Sequence, residues 1–380
     1  MARARQPPAP DIRGSAAAGS TQCVPSTQCF LMETHRPVYK PSESRFGFKP
    51  SAQTVFLIAV LVGSVLFIGY LLLFYGNDGM AGDPPRVASR LKLSDIPFNG
   101  ARAYDYLKEL CAIGPRFSGS PGMEAQQKLL ADHFSKLGAT VEWQPFRYRH
   151  PQTGAPVNMA NLIIHWHPDR KQRVLLCTHY DTRPFPDRDR ENPRGRFVGA
   201  NDGASGAAIL MELGRDMPAV SGTLGVDFVL FDGEELVYDE NDRYFLGSEW
   251  FARNYAAEAE SRAYRYRWAV LLDMVGDADL RILPDRESLS WADSKPLISD
   301  LWDTAQRLGV REFINRPGHE IRDDHLNLHN MAGIPSCDLI DFDYPAWHTA
   351  GDTPDKCSAL SLAKVGWVVE EWLKGAVKKP

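Results

Sequence analysis

Two periodicities alternate along most of this chain. Runs with an apolar residue every three or four positions predict helices. Short runs that are apolar throughout, or alternate in twos, predict strands. "ARAYDYLKELCAIG" has helical spacing and stops at Gly114, and "PGMEAQQKLLADHFSKLG" stops at Gly138. "TVEWQPFRYR" alternates and reads as a strand, with "NLIIHWH" and "RVLLCTHYDT" as strands after it. There follow a helix, "GASGAAILMELGRDM", a buried strand, "VDFVLFDGEE", a helix, "GSEWFARNYAAEAESRAY", and a strand, "WAVLLDMVGD". "SKPLISDLWDTAQRLG" is a helix, "IPSCDLIDF" a strand and "SALSLAKVGWVVEEWLKGA" a closing amphipathic helix. Strands alternating with helices, several of them apolar on both faces, predict an α/β domain. Its central sheet is mostly parallel, with helices on both faces.

One run breaks both periods. "TVFLIAVLVGSVLFIGYLLLFY", residues 54–75, has no charged residue. It is long enough to cross a hydrocarbon core of about 30 Å, and too long and too far from Met1 for an ordinary cleaved signal peptide. It reads as one transmembrane signal-anchor helix. Arg36, Lys40, Arg45 and Lys49 precede it, and Asn77, Asp78 and Asp83 follow it. The positive-inside rule then puts the N-terminus in the cytoplasm and everything after about residue 77 outside, in a periplasm, at a cell surface or in a lumen. Residues 1–50, rich in Pro, Ser, Ala, Arg and Gln, read as a disordered cytoplasmic tail, and 76–95 as a linker. Residues 96–380 read as one outer domain.

The 380 residues, 44% hydrophobic and 24% charged, suffice for one large core. A net charge of -5 over this length points to no nucleic-acid or polyanion partner. The six cysteines form no CxxC pair. Cys177 and Cys337 lie in apolar runs and read as buried thiols, and a Cys111–Cys357 disulfide is a pairing that spacing alone does not decide.

The strand "VDFVLFDGEE" ends in adjacent glutamates, Glu234 and Glu235. Buried carboxylates are costly unless paired, hydrogen-bonded or bound to metal. The other strands end in the same way. His179 and Asp181 follow "RVLLC", Asp202 opens a helix, Asp273 ends "WAVLLD" and His348 lies just past "IPSCDLIDF". In a parallel sheet these positions converge at the carboxyl edge, where sites lie. Histidine plus carboxylate without cysteine suits zinc. Asp181 is placed to orient His179 from behind by accepting its other N–H. Of the two glutamates, one can bind metal while its neighbour handles a proton. His165 and His167 fall outside this pattern and read as structural. Phe342, Tyr344 and Trp347 are aromatic candidates for a substrate pocket, with ordinary packing as the alternative. The charged, Pro-rich run 183–196 reads as a solvated loop near the site entrance.

"GPRFSGSPG", "THYDT", "GANDGASG", "FDGEE", "LLDMVG", "RDDH" and "AWHT" together make residues 96–376 resemble the M28 metallopeptidase family, which holds zinc aminopeptidases and glutaminyl cyclases. The resemblance implies a zinc aminopeptidase-like (phosphorylase-hydrolase-like) fold acting on peptide or protein N-termini. In the two-zinc aminopeptidases the matching positions imply Asp202 as a bridge. His179 and Asp273 complete one metal there, Glu235 and His348 the other, and Glu234 is the general base. In the cyclases the same frame implies one zinc on Asp202, Glu235 and His348. Glu234 then carries a proton from the α-amine to the leaving ammonia, with Asp273 and Asp323 as its hydrogen-bonding partners. The extended stretch between Glu235 and Gly247, the "RDDH" stretch and Trp347 resemble the cyclases, as does the anchored, outward-facing domain. His325 matches the cyclase Asp-Asp-His stretch, in a supporting role or in contact with substrate. Asp338 departs from the family, standing where animal cyclases have a pocket histidine. So do Arg322, in place of a glutamine, and the loop carrying Tyr238 and Tyr244 without a tryptophan. The expectation is a zinc-dependent glutaminyl-peptide cyclotransferase. The alternatives are a two-zinc aminopeptidase and, from another class, a non-catalytic receptor domain on a peptidase frame.

Overall fold

In the computed structural model, residues 51–74 and 88–378 are described. The tail expected over 1–50 and most of the linker lie outside them, with Cys23 and Cys29. The residues fall into two units, each taken by itself. In the first, α1 (Ala52–Phe74) runs for 23 residues, or about 35 Å at helical rise. It is long and apolar enough to cross a membrane, and its leucines, isoleucines and valines up to Ile68 are exposed.

In the second unit α2 (Gly100–Ile113) and α3 (Pro121–Lys136) precede β1 (Thr140–Arg149), β2 (Pro156–Trp166) and β3 (Gln172–His179). Then come α4 (Ala204–Leu213), β4 (Gly225–Phe231), α5 (Leu246–Ala257) and β5 (Arg265–Asp273). The chain closes with α6 (Arg286–Ser290), α7 (Lys295–Leu308), α8 (His325–Asn330), β6 (Ser336–Ile340) and α9 (Ala359–Ala376). Side chains cap the helices where the sequence supplies them. Asn99 accepts from Arg102 N–H, Ser120 from Met123 N–H ahead of Pro121, and Ser358 from Leu360 and Ser361 N–H.

The strands form one sheet in the order β1-β2-β4-β3-β5-β6. β4, β3, β5 and β6 run parallel, while β1 and β2 add an antiparallel edge. The mostly parallel central sheet read from the pattern is present, and the antiparallel pair β1 and β2 extends it on one side. Alternation sorts the central strands between two cores. Val174, Leu176, Val226, Phe228, Leu230, Val270 and Leu272 face α2, α3, α4, α7 and α9. Leu175, Cys177, Val229, Phe231, Ala269 and Leu271 face Phe251 and Tyr255 of α5 and Leu328 of α8. With both faces covered, the polar groups that gather into one cluster lie mostly at the strand ends. Cys111, Cys177, Cys337 and Cys357 are buried free thiols, so the Cys111–Cys357 pairing is not made.

Candidate metal and catalytic site

Each parallel strand delivers its chemistry at its carboxyl end. β3 ends at His179, β4 runs into Asp232–Glu235, β5 ends at Asp273 and β6 leads to the turn holding His348. Gly203, at φ +93°, lets the chain turn tightly into α4, and a β-carbon there would lie 2.6 Å from the Asp181 carbonyl. That turn presents Asp202, whose backbone N–H is taken by the buried Asp352 carboxylate at 3.1 Å. Asp352 also accepts from Asn201 N–H at 2.8 Å and Tyr344 Oη at 2.7 Å. Arg116, fully buried, donates to the Val198 and Gly199 carbonyls and fixes the loop before Asp202.

Asp202 sits at the centre. Its Oδ1 lies 3.2 Å from His179 Nε2, which is 3.1 Å from Asp273 Oδ1. Its Oδ2 lies 3.5 Å from His348 Nε2, which is 3.3 Å from Glu235 Oε1. Two buried triads, His179–Asp202–Asp273 and Asp202–Glu235–His348, thus share one carboxylate, each compact enough to hold a metal ion. Asp202 Oδ2 and Glu235 Oε2 are buried with no hydrogen-bond partner, so a cation fits this donor set. His348 (φ +57°) and Met274 (φ +46°), beside Asp273, adopt left-handed backbone uncommon for their residue types. Such strain concentrates at functional sites.

The adjacent glutamates titrate in opposite directions. Burial, reinforced by the charge of Glu235, pushes the Glu234 carboxyl well above its usual range. Burial also pushes Glu235 up, but the Arg183 guanidinium and His348 outweigh it and hold Glu235 well below that range. Opposed shifts of this kind favour the protonated form of one carboxyl and the anionic form of its neighbour. A wider acidic cluster lies behind Glu234. Burial first, then neighbouring carboxylates, raises Asp323 and Asp338 well above the ordinary range and Asp324 to about 7.

Several sequence expectations change in detail. Asp181 Oδ1 is 3.7 Å from His179 Nδ1, too far for the expected hydrogen bond. Its oxygens instead accept the N–H groups of Glu234 (3.2 Å) and Glu235 (3.0 Å), fixing where both glutamates start. His325, offered as a substrate contact, is fully buried between Asp285 (3.5 Å) and Asp338 (4.0 Å). Tyr344 is buried too, its hydroxyl spent on Asp352, so it supports the site rather than lining a pocket. Phe342 and Trp347 stay partly exposed, with ring centroids 4.7 Å apart, and Trp347 lies 4.4 Å from the His348 ring. His165 and His167 sit at the other end of the sheet, on Asp227 and the Met217 carbonyl. The loop read as solvated supplies the buried Arg183, which donates to Glu235 Oε1 at 2.6 Å. Sequence reasoning missed Arg183 and Asp352, whose only signal was a charge within a few residues of a ligand candidate.

A family model described as peptidase family M28 matches residues 161–373. The glutaminyl cyclase of Fimbriiglobus ruber is 41% identical in sequence, with a TM-score of 0.72, covering 78% of this chain and all of that one. A Zn-dependent exopeptidase from Parabacteroides distasonis is 31% identical, with a TM-score of 0.67, covering 72% of this chain and 97% of that one. The glutaminyl-peptide cyclotransferase of Bos taurus is 25% identical over 291 residues, 67% of this chain and 76% of that protein.

Proposed function

The chain belongs to peptidase family M28, on its glutaminyl cyclase branch, and from that premise we propose that it is a zinc-dependent glutaminyl-peptide cyclotransferase. It converts the N-terminal glutamine of a peptide to pyroglutamate and releases ammonia. The two-triad geometry is common to cyclases and aminopeptidases. What carries cyclisation is the match at 41% identity across the whole of the F. ruber cyclase.

In this reading Asp202, Glu235 and His348 hold one zinc ion, and Glu235, the carboxyl kept anionic, suits that place. Bound zinc supplies a Lewis acid that polarises the γ-carbonyl of the substrate glutamine. Glu234 takes a proton from the α-amine as its nitrogen bonds to the side-chain carbonyl carbon. It returns that proton to the amide nitrogen as the carbon–nitrogen bond breaks and ammonia leaves. A carboxyl that burial keeps easily protonated suits both halves of that transfer. Asp273 and Asp323 serve in this reading as hydrogen-bonding partners of Glu234, and Trp347 with Phe342 walls the substrate. Tethered nucleophile and carbonyl close a five-membered ring without water.

A second reading rests on one observation. His179 and Asp273 complete the other triad, so the donors for a two-zinc aminopeptidase are present. For location, α1 anchors the chain with its N-terminus in the cytoplasm and the catalytic domain outside, a reading supported by the basic residues before the span.

The test is a mass spectrum of the zinc-loaded chain incubated with a glutamine-initiated and a leucine-initiated peptide. Loss of ammonia from the first alone is the expected result. Removal of whole N-terminal residues would establish the aminopeptidase instead.

A further inference from the structure

The donors of the Asp202–Glu235–His348 triad are tied together from outside by a short stretch, residues 183–189. Arg183 is buried, and its guanidinium donates to Glu235 Oε1 at 2.6 Å and to Tyr244 Oη at 3.2 Å. The same guanidinium pairs with Asp187, Nε lying 2.9 Å from Oδ1 and Nη2 donating to Oδ2 at 3.1 Å. Asp187 in turn places Oδ1 3.4 Å from His348 Nδ1, the ring nitrogen turned away from Asp202 and Glu235. One circuit, Glu235–Arg183–Asp187–His348, therefore closes behind two of the three donors. Three further contacts hold the strand-end turn that carries His348. Arg188 N–H donates to the His348 carbonyl at 3.1 Å, and its guanidinium lies 3.7 Å over the Trp347 ring. Asp189 Oδ2 accepts from Ala350 N–H at 2.9 Å.

His179 is held more loosely: its buried Nδ1 makes no hydrogen bond and faces Asp181 Oδ1 at 3.7 Å and Glu234 Oε2 at 3.8 Å, against 3.4 Å for Asp187 on His348. A ligating histidine is fixed in orientation by the acceptor on its far nitrogen, and loss of that acceptor weakens metal binding about 10–100-fold. Because His348 keeps a left-handed backbone, its ring direction depends on outside support of this kind.

We propose that Arg183 and Asp187 are positioning residues that make Asp202–Glu235–His348 the tight zinc site of the pair, leaving His179–Asp202–Asp273 the weaker one. This rests on the zinc-site reading above. Arg183 pins Oε1 of Glu235 and leaves Oε2, which has no other partner, for the ion. Asp187 fixes the ring of His348, and the two acidic and basic groups hold each other.

The test uses the full chain in detergent, with zinc affinity measured by competition against a chromophoric chelator. The visible spectrum of the cobalt-loaded form gives a second readout. Asp187→Ala should weaken the first zinc equivalent about 10–100-fold and alter the cobalt bands, with far-ultraviolet circular dichroism unchanged. Asp187→Glu should recover part of the affinity, because it restores both the acceptor and the charge. Arg183→Gln should loosen zinc in the same direction. Wild-type affinity in Asp187→Ala and Arg183→Gln, with wild type itself binding zinc, overturns the inference and leaves the cyclase reading standing. A wild-type chain that takes up no zinc overturns both.

Discussion

Buried carboxylates lie at both ends of the parallel strands, and the two ends treat them oppositely. Near the amino ends, Asp227 of β4 is fully buried and fully answered. It accepts from His165 Nδ1 at 2.8 Å, Arg173 Nε at 2.8 Å and Tyr266 Oη at 2.6 Å. Burial pushes its carboxyl up, but His165 and Arg173 more than offset this and hold it below the usual range. At the carboxyl ends, Asp202 and Glu235 each keep one oxygen without a hydrogen-bond partner, and Asp324 and Asp338 keep both. A carboxylate whose lone pairs are all met by protein donors is finished as a structural element. One left short needs a cation or a proton from elsewhere. Within the carboxyl-end cluster the same rule divides the labour. Beside Arg183 and His348 the Glu235 carboxyl is held anionic, while Asp323 and Asp338, among other acids, are pushed toward the protonated form.

The comparison can be broken most severely at Glu234. Glu234→Gln should cut cyclisation about 10²–10⁴-fold while zinc content and melting temperature stay put; surviving turnover would remove Glu234 from proton transfer. His348→Ala should empty the Asp202–Glu235 side of zinc, read by metal analysis, at small cost in stability. Asp227→Ala should do the reverse, costing about 3–5 kcal/mol in a denaturant titration because Arg173 is left buried and unpaired. Zinc bound per folded molecule should not change. Should the two variants behave alike, the distinction between answered and unanswered carboxylates fails.

Two smaller effects sharpen the contrast through pH. The folded-state pKa of Asp227 is depressed, so its stabilisation is present above the unfolded value near 3.9 and is lost as pH falls through the folded value. His165 runs the other way. Burial lowers its pKa, but bonds to Asp227 and Glu142 outweigh that and raise it. Its contribution is full below about 6.5 and fades as pH rises through the folded value. Asp338, an acid with a raised folded pKa, penalises the fold increasingly as pH climbs from about 3.9. Asp338→Asn should therefore melt roughly 2–4 °C higher at pH 8 without added zinc, and show no advantage near pH 3.5. A pH-independent gain would mean that packing, not charge, is responsible.

Much of this was legible in the residue pattern because it is local. Periodicity found the strands and the longer helices, though it ran α5 seven residues past Ala257 and passed over the short α6 and α8, since amphipathic spacing and caps act over three or four positions. The place of Asp202, Glu234, Glu235, Asp273 and His348 at one edge followed from the rule that parallel strands share a carboxyl end. The antiparallel edge, with β2 seated on β4, did not follow, because nothing in "NLIIHWH" states which neighbour it will pair with. Nor did the roles of Asp181, Arg183, Asp187 and Asp352, whose partners lie 53, 52, 161 and 150 positions away along the chain.

The sequence by itself therefore determined the elements, the apolar span and the donor types gathered at the sheet edge, since each is set by short-range chemistry. Only the tertiary structure decided that Asp202 offers one oxygen to each triad, that Glu235 stays anionic beside Glu234, and that His325 and Tyr344 are enclosed. Those outcomes depend on which charges burial brings within a few ångströms of one another, and that distance is a property of the fold, not of spacing along the chain.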